Sequence, residues 1–166
     1  MSFRRIIKRI TVGKYPRRTF WRAGVLAVIF FLLFKFILLP VRINGSSMEP
    51  TYRNGSVNFV NTLRYRFREP RRGDIVAISL AGRRIMLLKR VIGLPGERLA
   101  FREGALIING QPTPEPYLKS DYNWNMPEIK IDSDEFFVVG DNRQMPLEEH
   151  LHGRVKRHKI VGGPLF

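Results

Sequence analysis

The chain has 166 residues, a formal net charge of +15 and no cysteine. That length suits one compact domain plus a short appended segment. Without thiols there is no disulfide framework, no thiolate metal site and no cysteine-protease chemistry. The charge is concentrated: no acidic residue precedes Glu49, and ten basic residues lie at or before Arg42, leaving +5 for the remainder. A nucleic-acid-binding domain would carry its excess as a basic face of the folded body, so this skew argues against a nucleic-acid partner.

Residues 23–39 read AGVLAVIFFLLFKFILL, with Lys35 as the only charge. As a helix the run spans roughly 25 Å, a little short of a hydrocarbon core of about 30 Å. Phe20 and Trp21 suit one interface, and Pro40 marks the other end. Lys35 can carry its ammonium towards the headgroups along its own stem. A buried core helix and a cleaved signal peptide are the alternatives, but LLPVRING does not resemble a small-residue cleavage site. Eight basic residues precede the run, which by the positive-inside bias places the N-terminus in the cytoplasm. The expected organisation is a basic cytoplasmic arm (1–22), a single transmembrane anchor (23–40) and an extracytoplasmic domain (41–166). Membrane lipids are therefore an expected partner, through the anchor and its basic flank.

Beyond Pro40 the chain shows short β-prone runs separated by turn residues. They cover 57–61, 74–80 (DIVAISL), 85–92, 99–102, 105–108 and 135–139 (EFFVV). Gly93-Leu94-Pro95-Gly96, Glu103-Gly104 and Asn109-Gly110 supply the turns. This pattern predicts a mostly β domain, either a barrel or packed antiparallel sheets. Residues 111–130 are polar and proline-rich and read as a long surface loop or hairpin extension. The basic run 154–159 reads as a solvated or headgroup-facing strand end.

Directly after the apolar run comes Asn44-Gly45-Ser46-Ser47-Met48-Glu49-Pro50-Thr51. Taken alone, this is equally a Ser/Gly-rich linker. A serine hydroxyl becomes a useful nucleophile only with a base in hydrogen-bond reach. The histidines, His150, His152 and His158, all lie close to the C-terminus. A lysine can serve if burial lowers its pKa. Lys89 sits in an apolar run, and strand alternation puts Leu87, Lys89 and Val91 on one face. Its alternative reading is a lysine snorkelling at a sheet edge.

Four segments then converge. Ser47-Met48-Glu49-Pro50-Thr51 follows the apolar helix; Arg72-Gly73-Asp74-Ile75-Val76 comes next. The third is Lys89-Arg90-Val91-Ile92-Gly93-Leu94-Pro95-Gly96-Glu97 and the fourth is Gly140-Asp141-Asn142-Arg143. In this order and spacing they resemble the type I signal peptidase (leader peptidase) family of Ser–Lys dyad serine proteases. The resemblance implies a signal-peptidase-like β domain with one N-terminal membrane helix, sited in the bacterial cytoplasmic membrane. It implies Ser47 as nucleophile and Lys89 as general base, with no metal and no organic cofactor. The Ser47 backbone N–H would form part of an oxyanion hole. Some members add a serine two residues earlier; here that position is Gly45. Leu87 and Val138 match positions that wall the lysine with apolar atoms. Met48, Asp141, Asn142, Arg143, Glu148 and His150 are the expected supporting residues. The family pattern departs at three places, where a serine, an aspartate and an arginine are replaced by Pro146, Glu148 and His150. Pro146 has no side-chain group with which to orient a lysine. The implied substrates are exported preproteins bearing signal peptides, with the secretion translocon as a candidate partner. The departures motivate one rival, a non-catalytic or specialised module that assists assembly of surface proteins.

Overall fold

The computed structural model describes residues 15–81, 85–150 and 153–165. Most of the basic arm, from Arg4 to Lys14, lies outside the described residues, as does His152. Two units are distinct along the chain, residues 1–38 and 39–166.

In the first unit, helix α1 runs Pro16–Leu32 and continues as a π-helical turn, Leu33–Ile37. Proline at its start fits there, because the first-turn N–H groups have no intrahelical acceptor in any case. No residue of α1 is buried, and Pro16–Ile37 is long and apolar enough to cross a membrane, with mean hydropathy 2.0. The helical run ends at Ile37, short of the expected residue 40, because Leu38 turns to an extended conformation and opens a strand.

The second unit is built from antiparallel strands. In chain order these are β1 (Leu38–Arg42), β2 (Val57–Asn61), β3 (Ile75–Ala81), β4 (Ile85–Gly93), β5 (Arg98–Arg102) and β6 (Ala105–Ile108). They continue with β7 (Gln111–Pro112), β8 (Met126–Lys130), β9 (Glu135–Val139), β10 (Gly153–Lys156) and β11 (Ile160–Pro164). A seven-stranded sheet has the order β1-β2-β11-β3-β4-β9-β10, and a four-stranded sheet has the order β7-β6-β5-β8. The expectation of a mostly β domain with one apolar helix holds. Of its two forms, the packed sheets are found and the barrel is not: among the described residues each sheet is open, ending on β1 and β10 or on β7 and β8.

The centre of the large sheet buries both faces. On β4 and β9, Ile92, Phe137 and Val139 join Leu99 and Phe101 of β5 and Leu106 and Ile108 of β6. This cluster holds the small sheet against the large one. On the opposite face Val76, Ile78, Val91, Phe136 and Val138 pack together under Tyr65. A third cluster, Ile43, Met48, Val60, Ala77 and Leu88, seals the end towards β1 and β2. Burying each such side chain fully stabilises the fold by about 1.5–3 kcal/mol.

Some segments depart from the sequence reading and others refine it. Residues 111–130 are not a plain loop: they hold β7, β8 and the buried Trp124. The run 154–159, read as a strand end, is one: edge strand β10 closes at Lys156 and a 3-10 turn, Arg157–Lys159, follows, with Arg157 paired to Glu69. Strands β1 and β11 had no alternating pattern to announce them, since Pro40, Gly162, Gly163 and Pro164 interrupt both.

Candidate active site

The site forms where β9 stops. In the β4–β9 register Arg90 faces Val139, and Val91 faces Val138. Continued by one step, that register would set Gly140 opposite Lys89, but β9 has ended at Val139. Beyond that end, Gly140 comes up against the Ser47 backbone. Only glycine permits this approach: a Cβ on Gly140 would lie 2.1 Å from the Ser47 carbonyl oxygen.

Ser47 is held from three sides. The Asn142 N–H donates to the Ser47 carbonyl at 3.0 Å, and Asn142 Nδ2 donates to the Ser46 carbonyl at 3.2 Å. A turn closes behind it, with Glu49 N–H donating to Ser46 O at 3.0 Å and Tyr52 N–H to Met48 O at 2.9 Å. The next side chain, Met48, is 2% exposed and plugs the cluster of Ile43, Val60 and Leu88. An apolar anchor one residue beyond the hydroxyl fixes where that hydroxyl points.

Lys89 Nζ lies 3.0 Å from Ser47 Oγ. Lys89 is 2% exposed, and among the described residues Ser47 Oγ is its one hydrogen-bond partner. Its register partner is Val76, so Lys89 shares a face with Val76, Leu87, Val91 and Val138. Val138 is buried and Leu87 half-buried. Removal from water disfavours the ammonium and lowers the Lys89 pKa to about 8, against a smaller opposing pull from the Asp141 charge. The side chain thus has the two properties a base needs here, reach and a neutral form accessible near working pH.

The neighbouring cation is treated differently. Arg90 Nε and Nη2 donate to Asp141 Oδ1 and Oδ2 at 2.7 and 2.5 Å, and Nη1 donates to the Gly73 carbonyl at 2.6 Å. Tyr117 lies beneath its guanidinium, 4.0 Å from ring centroid to Cζ. Asp141 also accepts from Thr51 Oγ1 at 2.6 Å. This pair ties β4 to both the nucleophile turn and the Gly140–Arg143 turn.

The other expected supporting residues divide. Gly45 takes φ +98° and donates its N–H to Asn54 Oδ1 at 3.0 Å, shaping the entry to the nucleophile turn. Arg143 is buried, and its Nε donates to the Gly140 carbonyl at 2.9 Å. His150 is buried edge-on against Trp124, with Nε2 2.8 Å from the Asn142 carbonyl. A carbonyl only accepts, so the proton sits on Nε2. Pro146 is exposed, and Glu148 is exposed on the 3-10 turn Leu147–Glu149. Sequence reasoning did not single out Thr51, Arg90 or Glu115. Arg90 and Thr51 lay inside quoted motifs, so only their roles were hidden. Glu115 carried no local signal.

A small cleft opens beside Ser47, with a cavity volume of about 30 Å³, lined by Val41, Ile43, Gly45, Ser47, Leu87 and Leu88 among others. Its walls are mainly aliphatic, as a pocket for short apolar side chains requires.

Known proteins resemble this chain over most of its length. A solved signal peptidase I from Enterococcus faecalis V583 is 28% identical, with a TM-score of 0.45, over 58% of this chain and 97% of that one. A signal peptidase I from Leptolyngbya laminosa is 41% identical over 72% of this chain, a match that spans 63% of that protein. Signal peptidase I V of Bacillus subtilis is 31% identical over 88% of this chain and 96% of its own length. Signal peptidase IB of Staphylococcus aureus is 31% identical over 86% of this chain and 84% of its own. A family profile described as signal peptidase, peptidase S26, matches residues 17–165, which takes in both Ser47 and Lys89, and the chain therefore belongs to that family.

Proposed function

We propose that this chain is a membrane-bound serine endopeptidase that removes N-terminal signal peptides from exported preproteins, with Ser47 as nucleophile and Lys89 as its base. The 3.0 Å separation of Ser47 Oγ and Lys89 Nζ, on a lysine only 2% exposed, carries the reading. Membership of the signal peptidase family supports the same activity.

Neutral Lys89 accepts the Ser47 proton as Oγ attacks the scissile carbonyl. The resulting ammonium donates to the leaving amine, and the signal peptide remains as an ester on Ser47. Water then enters and gives its proton to Lys89, and hydrolysis of the ester restores both side chains. The Ser47 N–H is the first donor for the oxyanion; Gly45 has no side chain to add a second. The cleft lined by Val41, Ile43, Leu87 and Leu88 receives the residues before the scissile bond and favours small ones.

The N-terminal helix anchors the chain as a single span, with the basic arm cytoplasmic and the β domain outside. Only ten positions separate Ile37 from Ser47, a reach of at most about 35 Å even if fully extended. A reporter fused after Phe166 should read out as extracytoplasmic.

The chemical test is cleavage of a precursor with small residues at its junction, by the full chain in liposomes. Ser47→Ala and Lys89→Ala should each lower kcat/KM on the order of 10⁴-fold or more. Wild-type activity should rise with pH through about 8, where the amine loses its proton. Turnover surviving in either variant would dismiss the dyad, and a wild-type chain that cleaves no such precursor would favour the non-catalytic assembly role.

A further inference from the structure

We infer that Glu115, in the segment between β7 and β8, is a positioning residue for the nucleophile, acting through Arg143. The inference rests on the Ser47–Lys89 reading above and adds to it a residue from a segment with no catalytic signature.

The Glu115 side chain is only 6% exposed, and both carboxylate oxygens accept twice. Oε1 accepts from Arg143 Nη2 at 2.6 Å and from the Tyr117 hydroxyl at 2.5 Å. Oε2 accepts from Arg143 Nη1 at 2.9 Å and from the Tyr122 hydroxyl at 2.6 Å. The Arg143 side chain is 1% exposed, and its remaining nitrogen, Nε, donates to the Gly140 carbonyl. Its guanidinium lies against aromatic rings, 5.0 Å from Trp124, 5.1 Å from Tyr122 and 5.7 Å from Phe101. All three guanidinium nitrogens are thus engaged, and the fork is locked in one orientation.

That orientation sets the turn on which Ser47 leans. Gly140 contacts the Ser47 backbone with no room for a methyl group, and Asn142 N–H donates to the Ser47 carbonyl. A line of direct contacts therefore runs from the Glu115 carboxylate to Arg143, to Gly140 and Asn142, and to the nucleophile. Tyr117 extends it by underlying Arg90, the other arginine that grips this turn through Asp141. Both tyrosine hydroxyls are pushed up, first by burial and then by Glu115, through its charge and its hydrogen bonds, so they remain donors.

Neutralising Glu115 would leave a buried guanidinium without its counter-ion. The Arg143 fork would turn away, release the Gly140 carbonyl and let the turn relax from Ser47. A displacement of about 1 Å at a reacting group lowers rates about 100-fold.

The experiment uses the full chain in liposomes, cleaving a precursor at a temperature where circular dichroism shows every variant as folded as wild type. Glu115→Gln is expected to lower kcat roughly 10- to 100-fold, to reduce the rate of the acylation burst equally, and to leave KM within about twofold. Arg143→Gln should do the same, and the double variant should be no worse than either single one. Glu115→Asp, which keeps the charge, should recover part of kcat. The inference is overturned if Glu115→Gln keeps kcat within twofold, if KM moves instead, or if the two single losses multiply. Should Glu115→Gln fail to fold, Tyr122→Phe removes one donor from the carboxylate. It should give a smaller drop in kcat at constant KM, and an unchanged kcat would count against the inference. Wild-type cleavage with an inactive Ser47→Ala variant checks the dyad separately, so failure of one reading is not failure of the other.

Discussion

Lys89 and Arg90 are consecutive cations on one strand, both buried, and the fold treats them oppositely. Arg90 faces the side of β4 that also carries Leu88 and Ile92, and meets Asp141 in a two-point ion pair with further donors and acceptors closing around it. Lys89 faces Val76, Val91 and Val138 and meets one hydroxyl. Burial is the same in kind; pairing is not. A paired cation keeps its charge and ties elements together, whereas one left among aliphatic groups drops its pKa and becomes a base. Alternation along a single strand is enough to separate the two roles by one residue.

The comparison breaks most visibly at Arg90. Arg90→Ala should destabilise the β domain by about 3–5 kcal/mol, because Asp141, its side chain 1% exposed, keeps its charge and loses its main partner. Replacing both partners, with Arg90→Met and Asp141→Leu, should recover most of that loss in denaturant melts. A double variant as unstable as the single one would show that the pair's packing, not its charge, is what matters.

Lys89 should respond with the opposite sign. The unfolded chain holds this proton up to about pH 10.5, and the folded chain releases it near 8. Stability therefore rises with pH between those values, and the cost of burying the ammonium is fully present below about pH 8. Lys89→Met should abolish cleavage yet stabilise the fold at pH 7 by up to roughly 3 kcal/mol, an advantage that fades as pH approaches 10.5. Melting curves at pH 7 and above pH 10 check it, and an equal gain at both would contradict the depressed pKa.

Two smaller changes probe the join between the regions. Gly140→Ala forces a methyl group against the Ser47 carbonyl, so kcat/KM should fall about 100-fold at saturating folding conditions. Thr51→Val removes one donor to the Asp141 carboxylate and should cost about 1–2 kcal/mol in melts, with kcat changed severalfold at most.

Much of the fold was readable along the chain. Runs 57–61, 105–108 and 135–139 coincide with β2, β6 and β9, and 85–92 differs from β4 by one residue. These strands have β-branched or aromatic residues bounded by turn signals. The segment 111–130 misled because its structure depends on non-local partners: Glu115 meets an arginine 28 positions away, and Trp124 Nε1 donates to the Met145 carbonyl. Ser47 and Lys89 were legible as residue types and motif members, and Lys89's apolar face followed from strand period.

What the sequence determined is local: an apolar helix, a set of short strands, a hydroxyl after the helix and an amine on an apolar face. Each follows from chain periodicity or from the chemistry of one residue. The tertiary structure decided what meets what. It brought Lys89 to Ser47 across 42 positions, set Asp141 on Arg90 rather than on Lys89, and set Glu115 on Arg143. Pairing between distant residues is set by strand register and by where β9 ends, and neither is encoded within a window that a sequence pattern can span.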